Sequence, residues 1–122
     1  MAAITEAQLS ITPTVSNQIV TVRITGQMLF NISDVGSFNL QCAVFGDDLV
    51  FDDFLFQYQP RGIGAGGSTF VPFEFLSTEQ RSILNEDVIG KDEIYANLTL
   101  RKNNEIGPIV STRKTNVVQI SA

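Results

Sequence analysis

The residues best suited to chemistry form an acidic segment at residues 46–53. Four aspartates lie within it: Asp47, Asp48, Asp52 and Asp53. Calcium prefers about six to eight oxygen ligands, often carboxylates from neighbouring loops. We therefore predict a candidate calcium site here, for which the acids at 86–87 and 92–93 would supply a facing loop. The spacing matches no EF-hand pattern, and the alternative is a solvated rim that aids solubility and discourages strand pairing between molecules.

The chain contains no histidine and a single cysteine, Cys42. Histidine is the commonest metal ligand and the usual activator of a nucleophilic serine or cysteine, so its absence argues against those catalytic classes. Cys42 alternates with apolar residues, which predicts a buried side chain instead of a reactive thiol. Carboxylates alone could hydrolyse glycosides, but we expect no deep cleft in a compact domain that also lacks tryptophan. We predict that the protein is not an enzyme.

The glycine-rich stretch at residues 62–67 matches the pattern G-x-G-x-x-G. In a dinucleotide-binding fold this loop follows a strand and opens a helix, whose N-terminus holds the pyrophosphate. Here the following residues, 68–76, have the character of a strand. The sequence therefore predicts a flexible hairpin loop, which could still present a contact surface.

Two-residue alternation of apolar and polar side chains is the dominant pattern of the chain. It is clearest at 93–101, where Ile94, Ala96, Leu98 and Leu100 share one face. Such alternation is typical of strands that bury one face. The strand candidates are residues 7–14, 18–30, 38–45, 49–58, 68–76, 93–101 and 112–121. About seven strands of this length predict one all-β domain over residues 1–122, an antiparallel β-sandwich similar to immunoglobulin-like or C2-like sandwiches in strand number and spacing alone.

One short helix is expected between the fifth and sixth strands. Ser77 and Gln80 have the spacing of a capping box, and residues 81–84 would complete one or two turns. In a sandwich this helix would carry the chain from one sheet to the other.

Aromatic residues are too numerous for one buried face of each strand. Phe54, Phe56 and Tyr58 share a face of their strand, and Phe70 opposes its neighbours Phe73 and Phe75. An exposed aromatic patch usually marks a protein–protein surface. The alternative is that the crossover helix or a long loop covers these rings.

A polar stripe is predicted on the outer face of the sixth strand, where Tyr95 and Arg101 alternate with the apolar row. Arg113 of the last strand would extend it. Such a stripe could recognise an acidic partner, including the acidic half of a second copy, and a solvated sheet face is the alternative. The candidate interaction residues are therefore Phe54, Phe56, Tyr58, Phe70, Tyr95, Arg101 and Arg113.

The charge distribution limits the partners. The net charge is −5, and residues 34–93 carry eleven acids against three bases, a balance that repels nucleic acid. No apolar run approaches the ~18–20 residues that span a bilayer, and no signal peptide is visible, so we expect a cytoplasmic protein or part of a particle. We predict a non-catalytic protein-interaction or structural module that self-associates. The alternative is calcium-dependent binding of membrane or carbohydrate through the acidic segment.

Overall fold

Alternation of apolar and polar residues produces nine strands and one short helix in the described part of the chain. The computed structural model describes residues 1–15, 18–47, 52–84 and 91–121. The elements are β1 (Ala3–Pro13), β2 (Ile19–Phe30), β3 (Val35–Gly46), β4 (Asp53–Gln57), β5 (Arg61–Gly66), β6 (Thr69–Gln80), α1 (Arg81–Leu84), β7 (Lys91–Lys102), β8 (Ile109–Lys114) and β9 (Val118–Ser121).

The strands form two antiparallel sheets. The smaller sheet has the order β1-β2-β6, and the larger has the order β4-β3-β7-β8, with β5 also paired to β3 and β9 to β7. One hydrophobic core contains residues of both sheets. The predicted all-β sandwich is confirmed.

The core is built from alternate residues of the central strands. Val22 and Ile24 of β2, Leu40 and Cys42 of β3, and Leu98 of β7 are all buried. These residues belong to the alternating rows that predict the strands, because successive side chains of a strand point to opposite faces. Burying each large aliphatic side chain contributes about 1.5–3 kcal/mol. The burial predicted for Cys42 is confirmed.

The prediction of a flexible loop at residues 62–67 is wrong, because most of this stretch is strand β5. It pairs with β3 from Leu40↔Arg61 to Val35↔Gly66. The glycines at 62, 64 and 66 occupy alternate positions, and Ile63 and Ala65 between them pack in or against the core. The two-residue period and the hydrogen bonds of the ladder therefore outweigh the flexibility of glycine.

The helix begins later than predicted. Residues 77–80 extend β6, because β2 offers a partner at every step up to Ile19↔Gln80. The helix α1 covers only Arg81–Leu84, with Leu84 buried. It leads from β6 in the smaller sheet towards β7 in the larger one, so the predicted crossover between sheets is confirmed. No helix in the described ranges is long and apolar enough to cross a membrane.

The last predicted strand is in fact two strands, β8 and β9. Between them, Thr115 exchanges hydrogen bonds with Ala96: Thr115 N donates to Ala96 O, and Ala96 N donates to Thr115 Oγ1, each at 2.9 Å. The side chain of Asn116 binds the smaller sheet through two hydrogen bonds: Leu9 N donates to Asn116 Oδ1 at 2.8 Å, and Asn116 Nδ2 donates to Leu9 O at 3.1 Å. The side chain of Asn116 thus imitates a strand backbone and closes this side of the sandwich.

Candidate interaction surface

Three aromatic rings from three adjacent strands meet on the outer face of the larger sheet. Phe45 of β3 lies opposite both Phe54 of β4 and Tyr95 of β7 in the ladders. Its ring stacks on Tyr95 with centroids 5.6 Å apart and meets Phe54 edge-on at 5.8 Å. Such pairs contribute ~0.5–1.5 kcal/mol each beyond the area they bury. We call Phe45, Phe54 and Tyr95 the ring patch.

A carboxylate fixes the hydroxyl end of the ring patch. Tyr95 Oη donates a hydrogen bond of 2.5 Å to Asp52 Oδ2, and Lys114 Nζ lies 4.9 Å from the centre of the Tyr95 ring. The pKa of Tyr95 is raised to about 12. Burial is the largest cause, followed by the hydrogen bond to Asp52 and the charge of its carboxylate. Tyr95 is therefore a neutral donor at physiological pH.

Acidic side chains border the ring patch beside Asp52. Asp47 lies at the end of β3, and its backbone N–H donates to Glu93 O at 2.7 Å. Lost hydration, then the carboxylates of Asp52 and Glu93, raise the pKa of Asp47, whereas the charge of Lys114 lowers it. We call Asp47, Asp52 and Glu93 the acidic border. It concentrates negative charge on one side of the rings, and Lys114 supplies a positive charge.

The ring patch contains two of the predicted interaction residues and one that sequence reasoning missed. Phe54 is 56% exposed, whereas Tyr95 is only 6% exposed. The exposure expected for Tyr95 in a polar stripe is therefore wrong, because its ring lies beneath Phe45 and Lys114. The sequence marks Phe45 only by its place in the outward row of β3, two residues beyond Ala43.

Phe56 and Tyr58 face the core instead of sharing a surface with Phe54. The ladder between β3 and β4 shifts register at Val44 and Phe45, so that Phe54 pairs with the outward Phe45 and Phe56 with the buried Val44. A β-bulge of this kind moves the following side chain to the other face of the sheet. Both Phe56 and Tyr58 are partly buried and pack against the core.

Phe70 belongs to a different surface. It lies on the outer face of the smaller sheet, where it pairs with Leu29, and it is 58% exposed. Leu76 is the other strongly exposed apolar residue of β6 and is six positions further along the same strand. Phe70 therefore does not join the ring patch.

The two predicted arginines also have separate roles. Arg101 donates from Nε to Gln41 Oε1 at 3.1 Å and from Nη1 to Gly107 O at 2.8 Å. It thereby fastens the loop between β7 and β8 to the sheet. Arg113 is exposed on β8 but lies opposite the buried Leu98 in the ladder, so the prediction that it extends the polar stripe is wrong.

The four aspartates predicted to bind calcium are only partly brought together. Asp47 and Asp52 approach each other in the acidic border, where Asp52 is occupied by Tyr95 Oη. Asp53 precedes the outward-facing Phe54 in β4 and so points to the opposite face. Asp48 lies outside the described residues, as do the acids at 86 and 87. Within the described ranges, no group of three or more Cys, Asp or Glu side chains could hold a metal ion.

Known proteins resemble this chain in strand arrangement, not in sequence. No protein family and no curated protein matches the sequence. Among solved structures, Bacteroides uniformis β-glucuronidase 2 matches 98% of this chain with a TM-score of 0.71 and 12% identity. The chain has a β-sandwich fold that occurs within glycosidases. It spans only 14% of that enzyme's length. A candidate β-galactosidase from Bacteroides fragilis matches 99% of this chain and 17% of its own, with a TM-score of 0.57 and 7% identity.

Proposed function

We propose that this domain is a non-catalytic interaction module that associates with a second copy of itself through the ring patch. The observation that carries the proposal is the position of Phe54. Its ring is more than half exposed, yet it is fixed edge-on against Phe45 where the edge strand β4 joins the larger sheet. Aromatic side chains held rigidly before binding are favoured at interfaces because little conformational freedom is lost on association.

The charges beside the ring patch favour a two-fold arrangement. In a symmetric dimer the same patch is used by both molecules, so that a residue on one side of the axis meets residues on the other side. The acidic border and Lys114 lie on the same surface, next to Tyr95. A two-fold axis near Phe54 would bring the acidic border of one copy to Lys114 of the second copy, and charge complementarity of this kind orients association.

The comparisons with solved structures support a modular role. A sandwich of this size makes up about a seventh of a β-glucuronidase chain, 14% of its length. Sandwich domains that accompany other domains act through their surfaces, and a fold does not by itself imply an activity. We therefore infer that contact is the function of this domain.

Sedimentation of two matched variants tests the proposal. Phe54→Ser and Phe70→Ser remove rings of nearly equal exposure, 56% and 58%, from the two different sheets. We expect the natural protein to self-associate at high micromolar concentration, Phe54→Ser to weaken the association at least about tenfold, and Phe70→Ser to leave it unchanged. A natural protein that stays monomeric at ~1 mM, or equal losses in both variants, would refute the ring patch as the interface.

Calcium-dependent binding of membrane or carbohydrate is the alternative function. Its support is the mutual approach of Asp47 and Asp52, whose like charges contribute to the raised pKa of Asp47. A ligand that binds only the native state raises the melting temperature. If calcium binds here, millimolar calcium will raise the melting temperature of the natural protein and not of Asp47→Asn. An unchanged melting temperature in both excludes this function.

A further inference from the structure

An open groove lies along strand β6, where the smaller sheet faces β5 of the larger one. Its volume is about 540 Å³. Apolar side chains from both sheets line it: Met28, Leu40, Ile63, Val71 and Phe73. We call this feature the β5–β6 groove.

Arg61 gives the β5–β6 groove a positive charge. Its guanidinium lies 4.2 Å from the centre of the Phe75 ring, and its side chain lines the groove. The other arginine of the lining, Arg23, is already neutralised, because its Nε lies 2.6 Å from Glu74 Oε2. No ion pair among the described residues involves Arg61. The groove is therefore apolar with one cation available to a carboxylate.

Among the described residues, hydrogen bonds from side chains to the backbone close the sandwich on the β1 side, whereas the groove lies on the β6 side. On the β1 side, Asn116 binds the backbone of Leu9, and Ile4 N donates to Ser111 Oγ at 3.0 Å. On the β6 side, contacts between the sheets include the pair Tyr58–Ser77 at 2.7 Å. Strands β5 and β6 are both edge strands there. An open groove between edge strands suits a protruding segment of another protein better than an enclosed small ligand, which is usually buried over most of its surface.

The loop between β7 and β8 holds the complementary feature, an exposed aliphatic side chain on an ordered turn. Its backbone is fixed at both ends: Asn103 N donates to Ser37 O at 2.8 Å, and Lys102 N donates to Pro108 O at 2.9 Å. Arg101 Nη1 donates to Gly107 O at 2.8 Å. These bonds make the loop a rigid projection instead of a flexible connection.

Ile106 stands at the tip of this loop and is 91% exposed. Ile106 N donates to Asn104 Oδ1 at 3.0 Å, and Gln41 Nε2 donates to Glu105 O at 3.0 Å. The backbone at the tip is thus satisfied within the molecule, whereas the side chain of Ile106 has almost no cover. Glu105 beside it is exposed and forms no ion pair with any described residue.

We propose that Ile106 of one copy inserts into the β5–β6 groove of a second copy, with Glu105 paired to Arg61. The side chain of Ile106 matches the apolar lining, and neighbouring residues of the loop supply the carboxylate that Arg61 lacks. Ile32 is also strongly exposed, but the carboxylate near it, Asp34, accepts a hydrogen bond from Asn31 N at 2.7 Å and lies 3.8 Å from the ammonium group of Met1. The charge of Asp34 is therefore already paired within the molecule.

This contact joins two different surfaces and therefore adds to the two-fold contact of the ring patch. A heterologous contact closes into a ring or extends into a chain, whereas the ring patch alone gives dimers. The inference rests on the proposed function only in that the partner is again a second copy. The two contacts predict assemblies larger than a dimer at high concentration.

The test uses charge reversal in a Phe54→Ser background, in which the ring patch is inactive. In that background Arg61→Glu and Glu105→Arg each place like charges at the contact, so each protein alone should stay monomeric in sedimentation. An equimolar mixture restores opposite charges at both kinds of contact and should associate at least about tenfold more tightly than either variant alone. Ile106→Ser alters only an exposed side chain. Introduced into both variants, it should abolish their association in the mixture.

The outcomes separate this inference from the proposed function. If the natural protein dimerises but the mixture of variants stays monomeric, the insertion of Ile106 is refuted and the ring patch stands. If the mixture of variants carrying Ile106→Ser associates as strongly as the mixture without it, the groove takes a different occupant and the inference is again refuted. If Phe54→Ser associates as strongly as the natural protein and the mixture of variants also associates, the ring patch fails and the inference stands.

Discussion

The hydroxyl of Tyr58 lies 2.7 Å from Ser77 Oγ, and this hydrogen bond joins the two sheets beside the β5–β6 groove. Tyr58 N donates to Cys42 O at 3.0 Å, which ties the residue to the larger sheet. Its ring packs on Phe75 of the smaller sheet with centroids 5.3 Å apart. Tyr58 therefore fixes the spacing of the two sheets on the open side of the sandwich.

Removing the hydroxyl of Tyr58 should lower the free energy of unfolding. We expect Tyr58→Phe to cost about 1 kcal/mol, the usual contribution of one hydrogen bond, in urea denaturation. Ser77→Ala should cost a similar amount, and the double variant should lose less than the sum because both changes remove the same bond. Fully additive losses would show that the two side chains do not depend on each other.

Gly26→Ala should destabilise the sandwich. A Cβ at Gly26 would overlap the ring of Phe73 and the carbonyl oxygen of Glu6, and overpacking of this kind costs typically ~1–3 kcal/mol. Gly64→Ala is the matched control, since no atom lies within 4 Å of a Cβ built there. We expect the control to change the free energy of unfolding by no more than ~1 kcal/mol. Equal losses at both positions would contradict the close approach of Phe73 and Glu6 as the cause.

Cys42 should react with thiol reagents only after the domain unfolds. Burial raises the pKa of its thiol to about 12, although the charge of Arg61 lowers it in part. At neutral pH the reactive thiolate is then a fraction of about one in 10⁵. We expect native protein to resist a chromogenic disulfide reagent and denatured protein to react with one equivalent. Rapid labelling of the native protein would contradict the burial of Cys42.

The two tyrosines should make the domain sensitive to alkali. The pKa values of Tyr58 and Tyr95 are raised from 10.0 to about 12 in the folded protein, and burial is the largest cause for both. The unfolded chain therefore releases these protons first, and stability that is present below pH 10 is lost as the pH rises towards 12. Urea denaturation across this range should show falling stability, with tyrosinate absorbance appearing late in the native protein. Tyr95→Phe should weaken the pH dependence; an unchanged dependence would assign it to other groups.

Several features of the fold could be predicted because they depend on local alternation. The rows containing Val22, Leu40 and Leu98 are buried where the two-residue period placed them. The crossover between the sheets was also predictable, although its helix begins only at Arg81. The glycines of this stretch wrongly predict a loop at residues 62–67, because the pairing of β5 with β3 cannot be inferred from the local sequence.

The candidate surface was harder to predict because it depends on contacts between strands. The bulge between β3 and β4 places Phe54 and Phe56 on opposite faces of the sheet, and no residue type in β4 predicts this bulge. Tyr95 has the sequence position of an exposed residue, yet the ring of Phe45 covers it. Only the strand register places Phe45 between Phe54 and Tyr95.

The fold class, the buried rows and the burial of Cys42 follow from local patterns in the sequence, because a strand's side-chain period of two is a local property of the chain. Which aromatic rings are exposed, which aspartates meet and where the sandwich stays open depend on how the sheets assemble. Those features depend on strand register and on the packing of sheet edges, which join residues far apart in sequence. Phe54 and Ile106 therefore stand out as exposed contacts only after the sheets are assembled.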